Sequence, residues 1–180
     1  MKRIRLILIL LPLLWVAGCS TMKPSDFAGT EPRLDLFGYF EGRTRAWGIF
    51  QDRSGKLQRQ FTVDILGVVE GDRLTLTEDF LYADGETQQR IWVIDRLDEH
   101  RFEGRADDVI GHAEGLAYGQ ALNWRYTMAL PYRGSTIEVR FDDWMFLQPD
   151  EVLVNRATVS KFGFRVGEVT LFFSKTGEGG

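Results

Sequence analysis

The 180-residue sequence has little of several things that would point to a function directly. It holds one cysteine, Cys19, so an intrachain disulfide and a cysteine-built zinc cage are excluded. It holds two histidines, which leaves no His-rich metal motif. It has no excess of basic residues: 22 Lys and Arg stand against 26 Asp and Glu, a net charge of -4. A nucleic-acid binder would show a basic face to meet phosphates, so no nucleic-acid partner is expected. Ser135, Ser160 and Ser174 lack the turn context of a hydrolase nucleophile, and Gly115–Gly119 lacks the spacing of a phosphate loop. No cofactor and no metal site is implied. What is present is 44% hydrophobic and 13% aromatic residues, enough to build the core of one ordinary domain.

The start of the chain has its own signature. Lys2, Arg3 and Arg5 precede an apolar run from Leu6 to Val16, followed by Ala17, Gly18 and Cys19. That run is too short to cross a hydrocarbon core needing roughly 20 residues, and it matches a secretory signal peptide. The tetrad Val16-Ala17-Gly18-Cys19 resembles the lipobox of bacterial lipoproteins. In that class the cysteine thiol takes a diacylglyceryl group, cleavage occurs before it, and the new amine is acylated. The expected division is therefore a signal peptide over 1–18, lipidation at Cys19, a tether over 19–35 and a folded domain over 36–180. Ser20, rather than Asp, after the cysteine points to the periplasmic face of the outer membrane. The protein is expected as a monomer that meets the membrane through its N-terminal lipid, because its acidic body gives no charge attraction to anionic lipid.

From residue 36 onward, β-type runs alternate with turn signals such as Asp52-Arg53-Ser54-Gly55, Ala83-Asp84-Gly85 and Pro131-Tyr132-Arg133-Gly134. The runs are 38–51, 57–69, 73–82, 87–97, 101–105, 120–130, 136–146, 152–161 and 164–174, with 107–116 read as a loop. The expected fold class is all-β: an antiparallel meander of eight or nine strands closed into a barrel. Closure removes exposed sheet edges, and the short turns disfavour the alternative of a two-sheet sandwich.

Further segments carry a resemblance. Gly38-Tyr39-Phe40-Glu41-Gly42, Ala46-Trp47-Gly48-Ile49-Phe50, Glu78-Asp79-Phe80, Arg90-Ile91-Trp92, Asp107-Asp108-Val109-Ile110-Gly111, Asp142-Asp143-Trp144-Met145 and Lys161-Phe162-Gly163 are similar to a proteobacterial lipoprotein family with domain of unknown function 3833. The resemblance spans nearly all of the chain after Cys19. It implies a lipocalin-like barrel and a lipid anchor, and it transfers no catalytic residue.

Period-two alternation picks out candidate interior residues. Leu74, Leu76, Glu78 and Phe80 share a face, as do Arg90, Trp92 and Ile94, and Ile137, Val139, Phe141, Asp143 and Met145. Trp124, Tyr126, Met128 and Leu130 form another face, with Trp144, Phe164, Val166 and Phe172 expected to add bulk. The proposed ligand-binding set is Glu78, Arg90, Trp92, Trp124, Tyr126 and Asp143. Ionised groups inside a barrel need partners, so the set reads either as a structural ion-pair network or as a polar clamp for a ligand. The preferred reading is a fatty acyl or other apolar ligand, or a phospholipid, with Arg90 meeting an acidic headgroup. The alternatives are an envelope lipid-modifying enzyme using Glu78, Asp143 or His112, and a ligand-free interaction module. Asp107–Glu114 reads first as an acidic turn, and His100 as solvated.

Overall fold

A computed structural model of the chain describes residues 21–132 and 134–175. The expected signal peptide over 1–18 and the expected lipidation site, Cys19, lie outside the described residues. Ten strands follow one another in sequence: β1 (Gly42–Asp52), β2 (Leu57–Glu70), β3 (Arg73–Tyr82), β4 (Thr87–Arg96), β5 (Arg101–Arg105), β6 (Ala113–Tyr118), β7 (Ala121–Tyr132), β8 (Ser135–Leu147), β9 (Leu153–Lys161) and β10 (Phe164–Lys175). Each pairs antiparallel with its neighbours, and β1 pairs with β10 from Thr44↔Lys175 to Asp52↔Gly167. The barrel is thus a closed meander, and the sandwich alternative is ruled out. Local chemistry sets the turns. At the β1–β2 hairpin the Asp52 carboxylate accepts the Ser54 and Lys56 amides, and Gly55 takes φ +83°, which a side chain would resist.

The strand count exceeds the expected eight or nine because β6 forms within and just beyond the 107–116 stretch expected to be loop. Its inward residues are Ala113, Gly115 and Ala117, too small to mark a hydrophobic face. They are small for a reason: a Cβ on Gly115 would lie 2.7 Å from the Trp124 ring on β7. The wall yields volume at β6 so that the indole can fill the interior.

The first expected strand also begins late. Residues Leu36–Phe40 form a short helix, α1, started by the Asp35 carboxylate accepting the Phe37 amide. Leu36, Phe37, Tyr39 and Phe40 are all buried, and together they plug one end of the barrel. Burying each contributes roughly 1.5–3 kcal/mol. The Tyr39 hydroxyl donates to the Glu151 carbonyl at 2.9 Å, and burial pushes its pKa up to about 12. The plug sits tightly, since a Cβ on Gly67 of β2 would fall 1.8 Å from the Phe40 carbonyl oxygen.

The stretch read as a tether is fastened where it is described. Pro24–Phe27 forms a 3-10 turn, and the Phe27 ring packs against Trp144 and Phe146 of β8 at 6.1 and 5.5 Å. Further along, the Leu34 amide donates to the Gly119 carbonyl, and Thr30 Oγ1 accepts the Gln120 amide. The segment therefore runs over the outer wall at the plugged end before α1 turns inward.

The core lies between the plug and the barrel's middle, with Leu74, Leu122, Leu153 and Val63 fully buried. At the other end, Phe61, Phe80 and Tyr82 form a half-buried aromatic group with ring centroids 5.5–6.1 Å apart. Phe164 and Phe172, expected to add interior bulk, instead face out, 77% and 49% exposed. Phe172 lies on the outward phase of β10, opposite Val154, and Phe164 sits at the β9–β10 hairpin tip, opposite Lys161 at the end of the barrel wall. Trp144 is also on the outside, covered by Phe27. Among the described residues, no helix is long and apolar enough to cross a membrane.

Candidate functional site

The pleat of four strands brings the polar interior residues to one level. Glu78 on β3 stands directly opposite Arg90 on β4, and Trp124 on β7 opposite Asp143 on β8. Trp92 and Tyr126 follow two residues from Arg90 and Trp124 on the same faces, and their rings meet edge to face at 5.6 Å. Glu78, Arg90, Trp92, Trp124, Tyr126 and Asp143 all line one cavity of about 120 Å³. Its floor is apolar: Leu36 and Phe40 of the plug, with Leu76, Ile94, Leu171 and Phe173. Its ceiling is the polar layer.

The polar layer includes two residues that the sequence did not reveal as site members. The first is Asp108. The loop between β5 and β6 lies along β7, with the Ile110 amide donating to the Thr127 carbonyl and the Ala129 amide to the Asp108 carbonyl. This delivers the Asp108 carboxylate to Arg90, whose Nε and Nη2 donate to it at 3.0 and 2.8 Å. Glu78 is more distant, 3.9 Å from Arg90 Nη1. The acidic turn expected here is thus partly structural, and one of its carboxylates faces the interior. The second missed residue is Asn155 on β9, 1% exposed, whose amide donates to Asp143 Oδ1. The other Asp143 oxygen accepts the Tyr126 hydroxyl at 3.2 Å. Asn155 alternates inward with Leu153 and Ala157, the one sequence signal that would have flagged it.

The electrostatics follow from burial. Burial pushes Glu78 up to about 7; Arg90 pulls it down, and Asp108 and Asp143 push it further up. Burial likewise lifts Asp143 to about 6, against the hydrogen bonds from Asn155 and Tyr126 that favour its ionised form. The Tyr126 phenol is held well above its usual range by burial and by the Asp143 charge. Burial disfavours the Arg90 cation, but Glu78 and Asp108 outweigh it and keep the guanidinium charged. One guanidinium thus stands against two carboxylates, Asp108 and Glu78, while Asp143 in the same layer is held by neutral donors. Arg90 is engaged by a side chain of the protein itself, so the expectation that it waits for an acidic headgroup is corrected by its bond to Asp108.

Size also constrains the site. A 150 Å³ apolar cavity accepts benzene. A cavity of about 120 Å³ accepts a ring of that scale or a chain of a few carbons, whereas pockets for drug-sized ligands run to roughly 300–1,000 Å³. The barrel is therefore neither solid nor widely hollow.

The other candidates lie elsewhere. His112 is on the outer surface, its Nε2 3.8 Å from Glu103 and 3.9 Å from Glu114. His100 is not simply solvated: its ring stacks on Tyr118 at 3.9 Å, with Nδ1 3.0 Å from the Ala117 carbonyl oxygen. Among the described residues, no group of three or more His, Cys, Asp or Glu is placed to hold a metal ion.

With this geometry in hand, comparison with known proteins adds the following. A family model described as "Protein of unknown function (DUF3833)" matches residues 13–175. Comparison with curated proteins found no match. Among solved structures, an S-type phycobiliprotein lyase from Guillardia theta is similar, with a TM-score of 0.54 and 11% identity over 80% of this chain and 92% of that one. At that identity the likeness establishes the fold, a lipocalin-like barrel.

Proposed function

The chain belongs to the DUF3833 family of proteins of unknown function, and from the barrel interior we propose that it is a lipid-anchored envelope protein that holds a small, largely apolar molecule. The ligand's apolar part lies among Trp92, Trp124, Leu171 and Phe173, and its polar end meets the layer of Glu78, Arg90, Asp108 and Asp143. The observation that carries this reading is the juxtaposition itself: a cavity of about 120 Å³ with an apolar floor and a polar ceiling. A purely structural barrel gains nothing from burying three carboxylates, since apolar side chains of like volume would serve stability at least as well.

A fatty acyl chain fits this reading only by its last few carbons, unless α1 withdraws and opens the plugged end. Lipidation at Cys19, cleavage before it and residence at the outer membrane are part of the same proposal. They rest on the charged start, the short apolar run and the small pair before the sole cysteine. Since Pro24 is buried against the barrel, the anchor would hold the plugged end close to the bilayer. A second reading, proton transfer on a bound lipid, draws support from two carboxyls that titrate near neutrality in an enclosed site.

Native mass spectrometry of protein isolated from its own cells in mild detergent tests the proposal. The expected species carries the mass of a diacylglyceryl-cysteine terminus plus one small molecule that leaves on gentle activation. A Cys19→Ala chain should lack the lipid mass and retain the small molecule. A wild-type species with neither addition would sink the proposal.

A further inference from the structure

Resting on the reading of a ligand inside the barrel, we infer that the cavity selects a cationic hydrogen-bond donor, such as the ammonium of a small aromatic or short-chain amine, over a carboxylate of the same size. Arg90, among the described residues the only basic side chain lining the cavity, gives Nε and Nη2 to Asp108 and brings Nη1 to 3.9 Å from Glu78. The hydroxyl of Tyr126 and the amide of Asn155 are given to Asp143. Most donors of the ceiling are thus committed to its own acceptors, and the remaining guanidinium nitrogen, Nη1, lies 3.9 Å from the Glu78 carboxylate.

The acceptors are in surplus. Glu78 has no partner nearer than the 3.9 Å contact with Arg90, apart from the Trp92 indole that favours its ionised form. With Glu78, Asp108 and Asp143 all ionised, the layer carries two more negative charges than positive. A carboxylate ligand would add a further negative charge beside Glu78 and Asp143, and like charges brought together without water repel strongly. An ammonium would reduce that surplus from two charges to one and donate to the carboxylate oxygens of Glu78 and Asp143. Trp92 and Trp124 also line the cavity, and aromatic rings attract a cation within about 6 Å of their faces.

The test is a calorimetric titration of the full-length protein at pH 8 with benzylamine, benzyl alcohol and benzoate, which share one ring and differ only in the polar end. The expected result is benzylamine binding at least about tenfold tighter than benzoate, with benzyl alcohol between them. Glu78→Gln and Asp143→Asn, each nearly the shape of the protonated acid, should each bring amine and acid to within about threefold. Benzoate binding as tightly as benzylamine, or an amine preference untouched by both variants, would overturn the inference and leave a ligand-filled barrel standing. If none of the three probes binds, the barrel-ligand reading itself fails, and the inference with it.

Discussion

Replacing Glu78 by Gln should stabilise the protein at pH 8 and leave its stability nearly unchanged at pH 4. The carboxyl takes up its proton at about 7 in the folded chain against 4.5 when unperturbed. At pH 4 both folded and unfolded chains hold most of that proton, so the group contributes little. As the pH climbs through 4.5 the unfolded chain releases the proton while the folded chain keeps it. Stability therefore falls across the window from about 4.5 to about 7 and levels above it. At about 1.4 kcal/mol per tenfold change in proton affinity, the full loss at pH 8 is about 3 kcal/mol. Gln is nearly isosteric with the protonated acid and does not ionise, so it should recover most of that. With a urea slope of about 2 kcal/mol per molar, the midpoint of Glu78→Gln should lie about 1.5 M above wild type at pH 8 and close to it at pH 4. Equal shifts at both pH values, or a lower midpoint at pH 8, would refute the claim that Glu78 is a buried acid held in a surplus of negative charge.

Two further outcomes follow from the same geometry. Arg90→Met should destabilise by about 3–5 kcal/mol at pH 8, because it leaves Asp108 and Glu78 buried without a countercharge, and urea unfolding would measure it. Gly67→Ala should push α1 from its seat, since a Cβ would lie 1.8 Å from the Phe40 carbonyl oxygen; the expected cost is roughly 1–3 kcal/mol, with new protease cleavage near residues 36–40.

The strands that build the site were legible because their two faces differ in kind. On β3, Leu74, Leu76 and Glu78 alternate with Thr75, Thr77 and Asp79, and the pleat turns that alternation directly into inside and outside. The same holds for Arg90 and Trp92 on β4 and for Asp143 on β8. Alternation failed where size, not polarity, was the signal: β6 lines the barrel with Ala113, Gly115 and Ala117 because Trp124 occupies the space in front of them. It also failed for β10, where the outward phase exposes Phe172 and the hairpin tip exposes Phe164. The plug was hidden because Leu36–Phe40 is only five residues long, and a strand would bury a similar apolar run. Asp108 was hidden for a different reason. Its partner Arg90 is 18 residues away, and only the loop's pairing with β7 brings the two together. Charge balance inside a barrel is a property of closure, and no local pattern reports it.

The central claim is that the space between α1 and the Glu78–Arg90–Asp143 layer receives a ligand. A crystal of the protein soaked in benzyl alcohol tests it most directly, because the probe is neutral and of the cavity's scale. The account predicts one molecule with its ring among Trp92, Trp124 and Phe173 and its hydroxyl donating to Glu78 or Asp143. A cavity that keeps only water at saturating probe, or a probe bound solely on the outer wall, would contradict it.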